Sequence, residues 1–351
     1  MSAGTDNLPP RAAVSQMATG YWVSQAVRAM AVLSLADHLA SGPRTAADLA
    51  EATGAHAPSL ARLLRALVAL GLCGREATER FRLTPLGEAL RSDVPDSARS
   101  FVLFFTAPWF ERGWEELPHA VRTGEPTFPR VHGAGFWDYL GAHPEDGALF
   151  DAAMSEGASA RAEALRAVRD LSSIGTVVDV GGGQGRLLAG LLEATPGLSG
   201  VLLDRPEVVA GAEAVLRAAG VADRCAVVGG DFFASVPPGG DAYVLAQIVH
   251  DWPDAEALAI LSACHRAMAP GARLWVIEQV LPPEDDPDPS ERAGLTLSLT
   301  LMDLNMLVLF GGGQQRTGEE YRRLLGAAGF EEVAVVPAEG TPWSVVEAVR
   351  R

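Results

Sequence analysis

The chain has 351 residues, 48% hydrophobic and 21% charged, with a formal charge of −16. That length predicts two or three domains, and the composition argues against a disordered chain. The charge argues against nucleic acid or an anionic membrane as the main partner, since phosphate contacts need clustered cations. All 28 basic residues are arginine, so lysine Schiff-base chemistry is excluded. No apolar run is long enough to predict a membrane span. The polar, proline-containing start does not resemble a signal peptide. Three scattered cysteines (Cys73, Cys225, Cys264) form no CxxC pair, and a reducing cytoplasm is the expected location.

In chain order, residues 12–40 read as helix, with Val23, Val27, Met30, Ala31 and Leu35 at helical spacing. The stretch is apolar on several faces, which asks for burial, and a partner subunit is a plausible cover. Across 44–90 the pattern predicts a helix capped by Thr45 and stopped by Gly54. A second helix follows from Pro58 and Ser59, with Leu60, Leu63, Leu64 and Leu67 on one face and Gly71 at its end. A hairpin over Leu72 to Leu83 completes a winged-helix pattern. Residues 95–170 read as interrupted helices dense in aromatics, mostly core, with some rings expected at a substrate pocket.

Strands are expected at Thr176–Val180, Gly200–Asp204, Cys225–Val228, Ala242–Val249 and Arg273–Gln279, with helices between them. That alternation predicts a parallel, doubly wound sheet. Two further strands, Glu332–Val336 and Ser344–Val349, should form an antiparallel edge hairpin. Before them come an acidic proline loop (Pro282 to Glu291) and a long apolar helix (Ala293 to Leu309).

The first strand runs into Gly181-Gly-Gly-Gln-Gly185 and then a helix, where glycines let a ligand approach and helix amides favour negative charge. Asp204 lies 23 residues after Gly181, at the spacing of a ribose-binding acid. Residue 186 is arginine, so the third glycine of a dinucleotide fingerprint is missing and a smaller nucleoside ligand is favoured. Asp231 and Phe232 follow the third strand. A carboxylate there can accept from an adenine amino group and a ring can stack on it; a helix cap is the alternative for Asp231, and the ligand role is preferred because strand carboxyl ends at a switch point are where such sheets bind ligands. His250 follows the fourth strand, and Glu278 ends the fifth beside it. A base oriented by a carboxylate is the arrangement of general-base catalysis. No histidine or cysteine spacing supports a metal site.

The motifs Val177-Val-Asp-Val-Gly-Gly-Gly183, Leu203-Asp-Arg-Pro206, Gly230-Asp-Phe-Phe233, Ile248-Val-His-Asp-Trp252 and Gly311-Gly-Gly-Gln-Gln-Arg-Thr317 together resemble the S-adenosylmethionine-dependent O-methyltransferases of the caffeate/hydroxyindole type, in their bacterial natural-product branch. The resemblance covers nearly the whole chain. It implies an α/β fold in three parts. An N-terminal helical, winged-helix dimerisation domain would span 1–100, a helical connector 101–170, and a Rossmann-like catalytic domain with seven strands 171–351. The implied cofactor is S-adenosyl-L-methionine, released as S-adenosyl-L-homocysteine, without a metal. The implied cofactor residues are Asp179, Gly181, Gly183, Asp204, Arg205, Asp231, Phe232, Gln247 and Trp252. His250 matches the general base, with Asp251 beside it and Glu278 as one flanking glutamate. Phe150, Met154, Met302, Asp303 and Met306 match positions near the substrate. A homodimer acting on a small aromatic hydroxyl is implied.

Two departures stand out. The second flanking glutamate falls on Gln315, and Ala246 replaces a lysine of the plant members. Two alternatives remain open at this point. Some relatives hydroxylate or decarboxylate polyketides on the same fold, but the resemblance places a replaced histidine in that branch. A winged-helix regulator is the other, with Arg62 and Arg65 on its recognition helix. Seven Arg against six acidic residues over 41–95 make a thin basic patch for DNA.

Overall fold

The computed structural model describes residues 8–95, 97–283 and 293–351. Most of the expected acidic proline loop therefore lies outside the described residues. The chain forms two compact units, Met1–Glu111 with Pro144–Glu156, and Arg112–His143 with Gly157–Arg351. The segment 101–170, expected as one connector, is shared between them.

In the first unit, the helix expected over 12–40 is three helices: Pro10–Ala18, Tyr21–Val32 and Leu35–Leu39. Thr19 and Gly20 interrupt the first, and Ser34 adopts a left-handed φ of 49° before the third. Met30, Leu35, Ala36 and Leu39 are buried with Leu49, Leu60, Leu64 and Leu67. In the single chain, Val14, Met17, Tyr21, Trp22, Val23 and Val32 stay exposed. Thr45 caps Ala46–Thr53 as expected. Its hydroxyl accepts from the Asp48 N–H while Asp48 accepts from the Thr45 N–H, so two orphan donors are satisfied reciprocally. Ala57–Ala69 follows, and the hairpin Cys73–Arg75 with Arg80–Leu83 gains a third strand at Arg44–Thr45. Phe101, Phe104, Phe105, Trp109, Phe110 and Phe150 form one aromatic nest, with ring centroids 4.3 to 5.9 Å apart.

The second unit is built on seven strands: β1 (Thr176–Val180), β2 (Ser199–Asp204), β3 (Cys225–Gly229), β4 (Ala242–Ala246), β5 (Arg273–Glu278), β6 (Glu331–Pro337) and β7 (Ser344–Val349). Their order is β3-β2-β1-β4-β5-β7-β6. The first five run parallel, and β7 pairs antiparallel with both β5 and β6. Alternate residues feed two cores. Val177, Val244 and Ile277 pack under the helices Ala158–Val168 and Arg186–Ala194. Val178, Leu245 and Val276 pack against Asp254–Ala267 and Gly318–Ala327. Burial on both faces explains why these strands read as continuous apolar runs. A second aromatic nest joins Phe128, Phe136, Trp137, Tyr139 and Phe310.

Four strands differ from expectation by a single residue at one or both ends, and one strand end departs further. The fourth strand was expected to reach Val249 but stops at Ala246, because Gln247 turns left-handed with φ 57°. Such a backbone is costly for a residue with a side chain and persists only where neighbours over-determine it. Here the Gln247 N–H bonds the Ile277 carbonyl at 3.0 Å. His250 consequently sits on a 3₁₀ turn, Val249–Asp251, beyond the strand rather than at its end.

Candidate active site

The carboxyl ends of β1, β2, β4 and β5 and the turns after them bring together most of the expected residues. In the glycine loop, Gly181, Gly183 and Gly185 all have positive φ. A Cβ on Gly182 would stand 2.5 Å from the Asp179 carboxyl, so the loop is folded directly over that side chain. Asp179 is 1% exposed, and neither carboxylate oxygen has a hydrogen-bond partner among the described residues. Burial, reinforced by Asp204 and opposed by Arg161, pushes its pKa up to about 7. A buried carboxyl with no donor is the condition under which a cationic or donor ligand gains most.

Asp204 ends β2. Its oxygens accept from the Gly183 and Arg205 N–H groups, each at 2.7 Å. An ionised carboxylate offers about four acceptor sites, so two remain for a diol. Arg205 pairs with Glu207 at 3.3 Å and lies over the Trp137 ring at 5.8 Å. Asp231 is exposed, and one oxygen accepts from the Phe233 N–H at 2.8 Å. The carboxylate thus closes a turn and caps no helix, with its second oxygen left for a ligand. Phe232 and Phe233 form a nest with the edge of Trp252. Gly181 packs on Ile248, two residues before His250, which brings the glycine loop against the histidine turn.

His250 is 6% exposed. Its Nε2 lies 3.3 Å from Asp251 Oδ1, and its Nδ1 lies 2.8 Å from Gln315 Nε2 and 3.6 Å from Glu278 Oε2. Glu278 is fully buried, and its Oε1 accepts from the Val249 and His250 N–H groups at 3.1 and 3.4 Å. Burial pushes Glu278 up to about 8 and Asp251 well above the usual carboxylate range. Burial lowers His250 to about 4, the Gln315 hydrogen bond opposes this, and the charges of Arg316 and Arg161 add to it. The expected pairing of His250 with Glu278 is therefore present, with Gln315 as the nearer partner.

Sequence reasoning missed the group that holds this turn in place. Arg316, 1% exposed, donates to the Val249 and Trp252 carbonyls at 2.8 Å each and to Asp254 at 2.9 Å. The Gln314 N–H donates to the His250 carbonyl at 2.8 Å. A Cβ on Gly313 would stand 2.8 Å from the Asp251 carbonyl oxygen, so this close approach needs glycine. The only sequence signal was the glycine run before Arg316, and a single arginine in a charged chain carries no mark of burial.

The substrate candidates divide between the units. Phe150 and Met154 lie on Pro144–Ser155 of the first unit, with Phe150 in its aromatic nest. Met302, Asp303 and Met306 lie on Ala293–Leu309 of the second. Asp303 faces the histidine's partner, since its carboxylate accepts from the Gln315 N–H at 2.7 Å. Met306 is buried, and Met302 meets the Asn305 amide at 3.9 Å. Asn305 in turn accepts from the Trp114 indole at 3.0 Å, a buried polar contact that sequence reasoning did not anticipate. Among the described residues no cluster of His, Cys, Asp or Glu could hold a metal, and no helix is long and apolar enough to cross a membrane.

These features suit a nucleoside with a cationic amino-acid tail: the orphaned Asp179 oxygens, a glycine loop and a diol-accepting carboxylate at one sheet edge. Comparison with known proteins agrees. An O-methyltransferase domain model matches residues 114–331, and an O-methyltransferase dimerisation domain model matches residues 15–93. The phenazine O-methyltransferase PhzM of Lysobacter antibioticus is 38% identical over 341 residues, covering 97% of this chain and 96% of that protein. The crystal structure of LaPhzM superposes with a TM-score of 0.90 at 38% identity, covering 98% of this chain and 100% of that one. NcsB1 of neocarzinostatin biosynthesis, solved with S-adenosylmethionine and 2-hydroxy-5-methyl naphthoic acid, gives a TM-score of 0.75 at 39% identity, covering 94% and 96%. The chain belongs to the S-adenosylmethionine-dependent O-methyltransferases that carry an N-terminal dimerisation domain.

Proposed function

We propose that the protein methylates a phenolic hydroxyl of an aromatic natural product, with His250 as the group that takes the hydroxyl proton. The observation that carries this reading is a buried histidine at the sheet edge, beside the glycine loop, with a polar partner at each ring nitrogen. S-adenosylmethionine, when bound, supplies an electrophilic methyl whose sulfur keeps the bonding electron pair and leaves as S-adenosylhomocysteine. A phenol of pKa about 10 is mostly neutral at pH 7. Its nucleophilicity rises as a base withdraws the proton, and His250 Nε2 can receive it in the tautomer that carries the hydrogen on Nδ1, with the Gln315 amide turned so that its oxygen accepts from Nδ1.

The remaining roles follow from position. Asp204 would hold the ribose diol, Asp231 and Phe232 the adenine, and the glycine loop with Asp179 the amino-acid tail. Arg205, Gln247 and Trp252 would flank this ligand. Met302 and Met306 would line the acceptor ring. The naphthoic acid bound by NcsB1 supports a hydroxylated aromatic acceptor. The dimerisation domain and the exposed Tyr21 and Trp22 support a homodimer. Three unbridged cysteines suit a reducing cytoplasm.

The test is incubation with S-adenosylmethionine and a panel of phenols and hydroxyquinones, read by mass spectrometry. A gain of one methylene is expected. His250→Ala should keep cofactor affinity and lower turnover by about 10²- to 10⁴-fold. Gain of oxygen or loss of carbon dioxide instead would replace this reading with the hydroxylase or decarboxylase one. Near-normal turnover by His250→Ala would remove the base assignment.

A further inference from the structure

Resting on that reading, we propose that Gln315 is a positioning residue that, being uncharged, leaves His250 a weak, neutral base, and that the enzyme is thereby selective for aromatic hydroxyls already acidic, such as those on quinones or conjugated with a ring carbonyl. The geometry carries this. Gln315 is 2% exposed, its amide nitrogen lies 2.8 Å from His250 Nδ1, and its Oε1 is buried with no partner among the described residues. Its backbone N–H is held by Asp303. An amide offers a donor on one side and an acceptor on the other. It can therefore meet Nδ1 as a lone pair or, turned over, as an N–H. A carboxylate at this position would only accept, would favour the N–H on Nδ1, and would add a charge that stabilises imidazolium.

Among the described residues nothing else around the ring replaces that charge. From its own turn comes Asp251, and from β5 comes Glu278. Burial raises the pKa of both, which disfavours a negative charge on either. From the 311–317 loop comes Arg316 and from the Ala158–Val168 helix comes Arg161, both cations that oppose a proton on the ring. With Nδ1 carrying its hydrogen toward the turned-over Gln315 oxygen, Nε2 takes the hydroxyl proton as the oxygen forms its bond to the methyl carbon and the carbon–sulfur bond breaks. Each pKa unit by which the hydroxyl exceeds the base costs tenfold in that proton-transfer equilibrium. A weak base therefore selects hydroxyls that give up their proton readily.

Two readouts test this. The first needs no turnover: the His250 ring is titrated by NMR in wild type and Gln315→Glu, with the resonance assigned by its absence from His250→Ala. We expect a wild-type midpoint at least one unit below the ordinary ~6.5, and an upward move of about one unit or more in Gln315→Glu. A wild-type midpoint at or above that value, or no movement in a folded Gln315→Glu, overturns the proposal. If Gln315→Glu does not fold, the wild-type midpoint alone decides.

The second readout is kcat/KM against a series of ring-substituted phenols. Hydroxyls of pKa about 7 should react at least ten times faster than those of about 10, and the ratio should shrink in Gln315→Glu. A wild-type rate independent of hydroxyl acidity overturns the selectivity. If no phenol reacts at all, the proposed function fails, while the titration still reports on Gln315.

Discussion

Two buried groups of the site are displaced in opposite directions by the same cause. Desolvation favours the neutral form, so Asp179 rises to about 7 and His250 falls to about 4. Their effects on stability have opposite signs. Asp179 binds its proton more tightly folded than unfolded, so its contribution is fully present below about 4 and is lost as pH rises through about 7. His250 must charge on unfolding in acid, so its contribution is present above its ordinary value of 6.5 and is lost as pH falls toward about 4. Asp179→Asn removes the cost of ionising a carboxyl without donors. The variant should melt higher than wild type when cofactor-free at pH 8, with the difference shrinking toward pH 4, and should bind S-adenosylmethionine at least tenfold more weakly. Calorimetric melts at the two pH values and a binding titration read both effects. An Asn variant that melts lower at pH 8 would mean that Asp179 holds a structural donor.

At the scale of elements, the central strands were legible because both of their faces are buried and each is a largely apolar run between turn signals. Thr176–Val180 and Ser344–Val349 have the bounds read from sequence. Ala242–Val249 does not, because Val249 continues the apolar pattern while the backbone turns left-handed at Gln247. Hydrophobicity records burial and not backbone direction, and Val249 is buried in the turn as it would be in a strand. The loop from Gly311 to Thr317 then clamps that turn through Gln314, Gln315 and Arg316. Gly313→Ala pushes a methyl into the Asp251 carbonyl and must shift the clamp. We expect turnover to fall by roughly 10²-fold while S-adenosylmethionine affinity changes little. Unchanged kcat in a folded Gly313→Ala would show that the clamp does not set the histidine's position.

At the scale of the molecule, apolar surface is left over. Val14, Met17, Tyr21, Trp22, Val23 and Val32 are exposed on the first two helices of a single chain, and Trp22 is 61% exposed. Exposed apolar side chains gathered on two successive helices are what an association surface presents. The matched dimerisation domain model covers most of it. Replacing Tyr21 and Trp22 together with Asp should convert a dimer to a monomer in sedimentation. Retention of the dimer would place the interface elsewhere.

The sequence alone determined what depends on local chemistry. Its periodicity and caps located most helices and strands, and the glycine loop, Asp204 and His250 marked the ends of strands where an α/β sheet binds ligands. Strand order and the two-unit division depend on long-range packing that no local pattern encodes. Only the tertiary structure put β7 between β5 and β6, and split the segment 101–170 between two units. Only it brought Gln315, 65 residues away in sequence, to 2.8 Å from the His250 ring and buried Arg316 behind the same turn. The reason is that hydrophobic pattern specifies which side chains leave water, whereas the partner of a buried polar group is chosen by where the chain returns.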